Sequence, residues 1–188
     1  MSLEPLLAHL APLGPMPPLE RWDPPLSGDM DLTIDAEGHW IHEGAPIRRA
    51  PLVRLLASVL RREADGHYYL VSPEEKWRIR VVDRPLLIVD ADRDEGGDWW
   101  LTTQVGERVR LDGDHLLTLS RTPDGARVPE LALRHGLSGR LNRPLFYRLV
   151  EAAEHRRRGE TLALGLASGG HWHPLGCLDA DGNEVACD

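Results

Sequence analysis

The chain has 188 residues, of which 41% are hydrophobic and 28% charged, which suits one large domain or two small ones and excludes a disordered or fibrous protein. Lys+Arg 22 against Asp+Glu 30 gives a net charge of −8, which argues against a protein that coats nucleic acid or an anionic membrane, because the average field repels phosphates. The two cysteines, Cys177 and Cys187, are too few for a disulfide framework and fit a reducing compartment.

The first twenty residues are apolar, but they lack a basic start and are broken by Pro5, Pro12, Pro15, Pro17 and Pro18, so neither an export signal nor a membrane span is expected. The reading is a soluble, cytoplasmic protein. Leu3, Leu6, Leu7 and Leu10 predict a short helix over residues 3–11, followed by an extended proline-rich arm to Pro25. Leu32 and Ile34, then the turn-like Asp35-Ala36-Glu37-Gly38 and Trp40, predict a hairpin. Leu52, Leu55, Leu56, Val59 and Leu60 recur at helical spacing behind Pro51, which predicts a helix over Pro51–Arg62. Strands are expected at His67–Val71, Lys76–Val82 and Leu86–Val89, and a loop at Ala91–Asp98.

Further strands are expected at Trp99–Val105, Arg108–Leu111, Leu116–Ser120 and Leu131–Arg134, with Thr122-Pro123-Asp124-Gly125 as a turn. A second helix is expected over Pro144–Arg157, then strands at Thr161–Leu166 and His171–Leu175. From Pro51 to Pro144 is 93 positions, and the same shift aligns His42 with His135, Leu52 with Leu145, Leu56 with Leu149 and Gly66 with Gly159. The shared order of elements suggests an internal duplication. The expected fold class is therefore α+β: mainly antiparallel sheets, each packed on one helix, in two repeated strand–helix–strand units behind a Pro-rich N-terminal arm. The expected division is 1–30 for the arm, 31–90 for the first unit and 91–188 for the second.

Residues 38–85 carry a tryptophan hairpin (Trp40), Gly44-Ala45-Pro46-Ile47, Arg61-Arg62-Glu63, Asp65-Gly66, Leu70-Val71-Ser72-Pro73, Glu75-Lys76 and Asp83-Arg84-Pro85. This pattern resembles the bacterial domain-of-unknown-function family 1285, from which the chain departs at Val82 and Leu86. The resemblance implies an α+β fold built from repeated motifs and a regulatory or signalling role; it supplies no activity and no catalytic residues.

Lys76 is the one lysine among 22 Lys+Arg residues. Codon bias explains that blandly, whereas a compact ammonium also suits a small anion site. Arg61 and Arg62 are expected in the last turn of the first helix, and Arg156, Arg157 and Arg158 at the matching place in the second, where cations complement the helix dipole. Should the turn, helix end and strand converge, Arg49, Arg62 and Lys76 would form a cationic face needing Glu63, Glu75 or Asp83 as counterions, or an anionic ligand. The candidate ligand-binding residues are thus Arg49, Arg62, Lys76, Glu75 and Asp83. Glu75 and Lys76 adjoin on a strand and point to opposite faces, which argues against a direct pair.

His171-Trp172-His173 and Cys177 offer ligand types without zinc-knuckle spacing, so no metal and no cofactor is expected. Ser58 and Ser72 lie outside any nucleophile elbow, and Gly165–Gly170 lacks a phosphate-loop context. The function expected is that of a small binding or regulatory protein, taking an anionic small molecule or a protein partner, with room for a homo-oligomer. The alternative is a small hydrolase or transferase using Lys76 with Glu75 or Asp83.

Overall fold

Residues 17–187 are described by a computed structural model. The helix expected at 3–11 and the first part of the proline-rich arm lie outside the described residues. Most of the rest is sheet, with two nine-residue helices, and the chain divides into two compact units: residues 17–85 with Arg134–Leu137, and Leu86–Leu133 with residues 138–187. Among the described residues no helix is long and apolar enough to cross a membrane.

The first unit is one six-stranded sheet. Its strands are β1 (Leu26–Ile34), β2 (Trp40–His42), β3 (Ala45–Pro46), β4 (Leu60–Arg62), β5 (Tyr68–Val71) and β6 (Lys76–Val81), in the spatial order β3-β2-β1-β6-β5-β4. All neighbours are antiparallel except β1 and β6, which run parallel. Period-two alternation puts Met30, Leu32 and Ile34 of β1 into the core beside Trp40, Leu56, Leu60 and Leu70. Helix α1 (Ala50–Ser58) begins with a proline in its first turn, as expected, but stops four residues before Arg62. The hydroxyl of Ser58 donates to the carbonyl of Leu55, Val59 leaves the helical region, and Leu60 starts a strand by pairing with Leu70. The apolar run Val59-Leu60 is read by burial in the sheet rather than by helical period; both side chains are fully buried. Arg61 and Arg62 are accordingly strand residues with no dipole to complement.

The second unit contains two sheets. One, in the order β10-β11-β12-β7-β8-β9, is built from β7 (Leu86–Arg93), β8 (Trp99–Thr103), β9 (Arg108–Arg110), β10 (Leu117–Arg121), β11 (Arg127–Ala132) and β12 (Ser138–Leu141). Its one parallel pair is β7 with β12. β7 runs on through residues expected to be loop, because Ala91 pairs with Leu101 and is buried there. β11 likewise starts earlier than the expected Leu131, held by a five-residue ladder to β10. The other sheet is β13 (Glu154–Arg158), β14 (Thr161–Ser168), β15 (His171–Leu178) and β16 (Glu184–Val185), all antiparallel. Helix α2 (Arg143–Glu151) is capped by Asn142, whose side-chain oxygen accepts the N–H of Leu145 at 2.9 Å. It ends at Ala152, so Arg156, Arg157 and Arg158 also leave the expected helix end and lie on the edge strand β13.

The two helices sit 93 residues apart, and each is followed by three antiparallel strands, which fits a repeated unit. Their further partners differ: β6 continues into a parallel pair with β1, whereas β15 pairs with β16.

Six turns share one construction. Starting at Asp35, Glu63, Asp94, Thr103, Thr122 and Asp179, the first N–H bonds the carbonyl four residues on, and a glycine in the fourth position returns its N–H to the first carbonyl. That glycine needs positive φ, 79° at Gly38 and 83° at Gly182, which side-chain-bearing residues resist. Where the first residue is aspartate its carboxylate closes the turn: that of Asp35 takes the N–H groups of Glu37 and His39, that of Asp179 those of Asp181 and Asn183.

Candidate functional site

Lys76 opens β6 with its ammonium 3.1 Å from both carboxylate oxygens of Glu63, and Arg61 donates to the same carboxylate at 2.5 Å. The three side chains are 13%, 24% and 16% exposed respectively, so the charges are largely withdrawn from water yet mutually satisfied. Burial alone would raise the pKa of Glu63, but hydrogen bonds and charge from Arg61 and Lys76 outweigh it and hold the carboxyl below its usual value. The ammonium also lies 5.2 Å from the ring centre of Tyr69, whose hydroxyl donates to Asp65 at 2.6 Å. That hydrogen bond, helped by burial, pushes the phenol up to about 12. Arg61 further donates to the carbonyls of Leu19 and Trp22, so the cluster ties residues 19–22 to the sheet edge.

The other expected site residues do not join it. Arg62 pairs with Tyr68, which pairs with Ile79, and strand alternation therefore sends Arg62 and Lys76 to opposite faces. Arg62 packs over Tyr68 and donates to the carbonyl of Gly66. Glu75 accepts from the indole N–H of Trp77, on the face away from Lys76. Arg49 precedes α1 with an exposed side chain, and Asp83 lies beyond β6 beside Arg84, 3.5 Å from its guanidinium. The expected three-cation face is thus not assembled, and Lys76 meets neither Glu75 nor Asp83 as an acid–base pair. The cause is the missing helix end: placing Arg62 on a strand fixes its face by parity.

In the second unit His173 is fully buried. One ring nitrogen (Nδ1) accepts the N–H of Leu117 at 3.4 Å and the other (Nε2) donates to the carbonyl of Ser168 at 3.2 Å, while desolvation lowers its pKa. His171 is turned to the carbonyl of Gly169. Cys177 is bonded to Cys187, which corrects the reading of two reduced thiols. Sequence spacing did not reveal this bond, because the turn at Asp179 folds β16 back along β15 and brings the pair to a Cα separation of 5.4 Å.

The bonded pair borders clefts that sequence patterning did not disclose. One, of about 490 Å³, is walled by β10 with Arg127, Pro174, Ala186 and Cys187. Arg121 and Arg127 sit directly opposite each other across the β10–β11 hairpin. Leu119 and Pro174 supply its exposed apolar lining, and Leu117 is almost fully buried. β10 is held from behind by Arg140, 5% exposed, which donates to the carbonyls of Ser120 (3.4 Å), Arg121 (2.7 Å) and Val128 (3.3 Å) and to the Ser120 hydroxyl (2.9 Å), with Glu130 at 3.8 Å. A second cleft of about 420 Å³ is bordered by Arg158, Thr161, Trp172, Pro174 and the disulfide. The only advance signal was the turn expected at Thr122-Pro123-Asp124-Gly125, which lies between Arg121 and Arg127.

Comparison with known proteins agrees with this architecture. The model for the N-terminal domain of DUF1285, a domain of unknown function, matches residues 17–84, and that for the C-terminal domain of the same family, a protein of unknown function, matches residues 85–175. A crystal structure of a DUF1285 family protein from Silicibacter pomeroyi DSS-3 is 36% identical, with 86% of this chain and 87% of that one covered and a TM-score of 0.77. Another, from Shewanella baltica OS155, is 31% identical over 65% of this chain and 91% of that one, with a TM-score of 0.53. No curated protein matches the chain. With both family models matching in order over residues 17–175, the chain belongs to the DUF1285 family.

Proposed function

We propose that the chain is a binding protein and that its second unit takes a small anionic molecule in the cleft beside β10. The observation that carries this reading is the opposed pair Arg121 and Arg127 lining a cleft that also has apolar walls. Two guanidiniums at paired hairpin positions suit a carboxylate or phosphate, gripped by Arg127 and by the N–H groups of Arg121 that do not donate to the carbonyl of Gly125, while Leu119 and Pro174 cover a carbon skeleton. The cleft contains no nucleophile–base pair: the hydroxyl of Ser120 is engaged by Glu130 and Arg140. The enzyme reading loses its support with the separation of Lys76 from Glu75 and Asp83. A regulatory or signalling role would then consist of ligand-dependent stabilisation read by a partner. A cytoplasmic location belongs to the same reading only where Cys177 and Cys187 are thiols in cells, since the bond between them fits an oxidising compartment.

A thermal-shift screen of small carboxylates, phosphates and nucleotides tests the proposal. A true ligand at about a hundred times its dissociation constant adds ~2.7 kcal/mol of stability, and Arg127→Ala should remove that shift. No shift from any anion, or shifts unchanged in Arg127→Ala, would overturn it.

A further inference from the structure

We infer that the edge strand β13 is a docking site for an extended, acidic segment of a partner protein, added to the sheet as a further strand. The inference does not depend on the cleft beside β10. All five residues of β13 are exposed, and among the described residues β14 is its one strand neighbour, so its outer row of backbone N–H and C=O groups faces no strand. Such a row is a template for an incoming chain. Its side chains set the charge of that chain: Glu154-His155-Arg156-Arg157-Arg158 places three adjacent arginines in a protein whose net charge is −8. Strand alternation presents Glu154, Arg156 and Arg158 on one face, with Glu154 3.5 Å from Arg156, and His155 and Arg157 on the other, so each face keeps a net positive charge for an added strand to meet.

A second copy of this chain is the wrong occupant. Pairing β13 with itself antiparallel would set Arg156 against Arg156, or Arg157 against Arg157, at the two-fold axis, and like charges directly opposite destabilise a ladder. A strand carrying alternate carboxylates places them all on one face, where they meet arginine rather than a like charge.

A place for one apolar side chain adjoins the edge. Arg156 stacks on Trp172 with its guanidinium carbon 3.9 Å from the ring centre, and Trp172 lies so close over Gly165 that a Cβ there would come within 2.5 Å of the indole. Beyond the indole the 420 Å³ cleft opens, bordered by Arg158, Thr161, Pro174 and the disulfide. Backbone pairing supplies affinity in strand addition and such a cleft supplies selectivity. The competing account, in which the arginines only keep the edge from pairing with other chains, predicts no peptide binding at all.

The experiment measures fluorescence anisotropy of a labelled, end-capped peptide of alternating Glu with Val or Leu, titrated with the full-length protein. A copy of the peptide N-methylated at alternate residues and an Arg156→Glu/Arg157→Glu variant are run beside it. The variant changes exposed side chains, and its folding is checked by circular dichroism and thermal unfolding. Saturable binding is expected, weakened roughly tenfold or more by N-methylation, which removes backbone donors, and by charge reversal. Absence of binding up to about 1 mM, equal binding of the N-methylated peptide, or equal binding by the folded variant would each overturn the inference. Equal displacement by inorganic polyphosphate and by unlabelled peptide, together with indifference to N-methylation, would identify a general anion patch instead.

Discussion

Lys76 and Arg61 converge on one carboxylate, that of Glu63, from β6 and β4, the two strands that flank β5. The single lysine of the chain is therefore a largely buried counterion of Glu63. Removing Glu63 leaves two cations largely out of water, so Glu63→Ala should destabilise the protein by about 1–3 kcal/mol in denaturant titration. Because the folded pKa of Glu63 is depressed, its contribution is present above the ordinary glutamate value of about 4.3 and is lost as pH falls through the lower folded one. Glu63→Gln should therefore flatten the acid limb of the stability–pH curve; an unchanged limb would contradict the geometry.

His173 gives a second pH signature of opposite origin. Burial disfavours its charged form, so the unfolded chain binds a proton more readily than the folded one. Its contribution is complete above about pH 6.5, where the unfolded imidazole is neutral, and declines as pH drops below that. Nitrogen NMR should find a neutral ring protonated at Nε2, the atom aimed at the carbonyl of Ser168. A ring charged at pH 7 would refute the assignment.

Reduction of Cys177–Cys187 should lower stability by about 2–3 kcal/mol if the closed loop constrains the unfolded chain in the ordinary way. Intact mass with and without reductant, followed by alkylation, reads the bond directly. Two alkylated cysteines in protein purified without reductant would show that the pair is open.

The close seat of Trp172 makes Gly165 irreplaceable. A Cβ at this position would lie 2.5 Å from the indole and 2.7 Å from the carbonyl of His173, and a backbone carbonyl cannot swing aside. Gly165→Ala should cost about 1–3 kcal/mol and shift the tryptophan emission, whereas Gly176→Ala, with open space around it and no positive φ, should leave the emission unchanged.

Much of the scaffold was legible because local chemistry determines it. Asp35 with Gly38 and Thr122 with Gly125 announce their turns, and Pro51 and Pro144 announce the helix starts. The helix ends were not legible, since Val59-Leu60 satisfies a helical stripe and a buried strand equally well until Leu70 is known to lie opposite. That single ambiguity moved Arg61 and Arg62 onto a strand, and with them the expected cationic face. The cleft escaped for a different reason. Arg121 and Arg127 are close in sequence, but Pro174 and Cys187 reach them only through a tertiary arrangement that no local pattern encodes.

The most direct test of the account is isothermal titration of the strongest anion from the thermal-shift screen into the wild-type protein, Arg121→Ala and Arg127→Ala. Saturable binding that weakens with salt and falls by roughly tenfold or more in each variant is the predicted result, since each lost fork of charged hydrogen bonds is worth about 1.5–3 kcal/mol. Full affinity in both variants would place the ligand elsewhere and contradict the assignment of the β10 cleft.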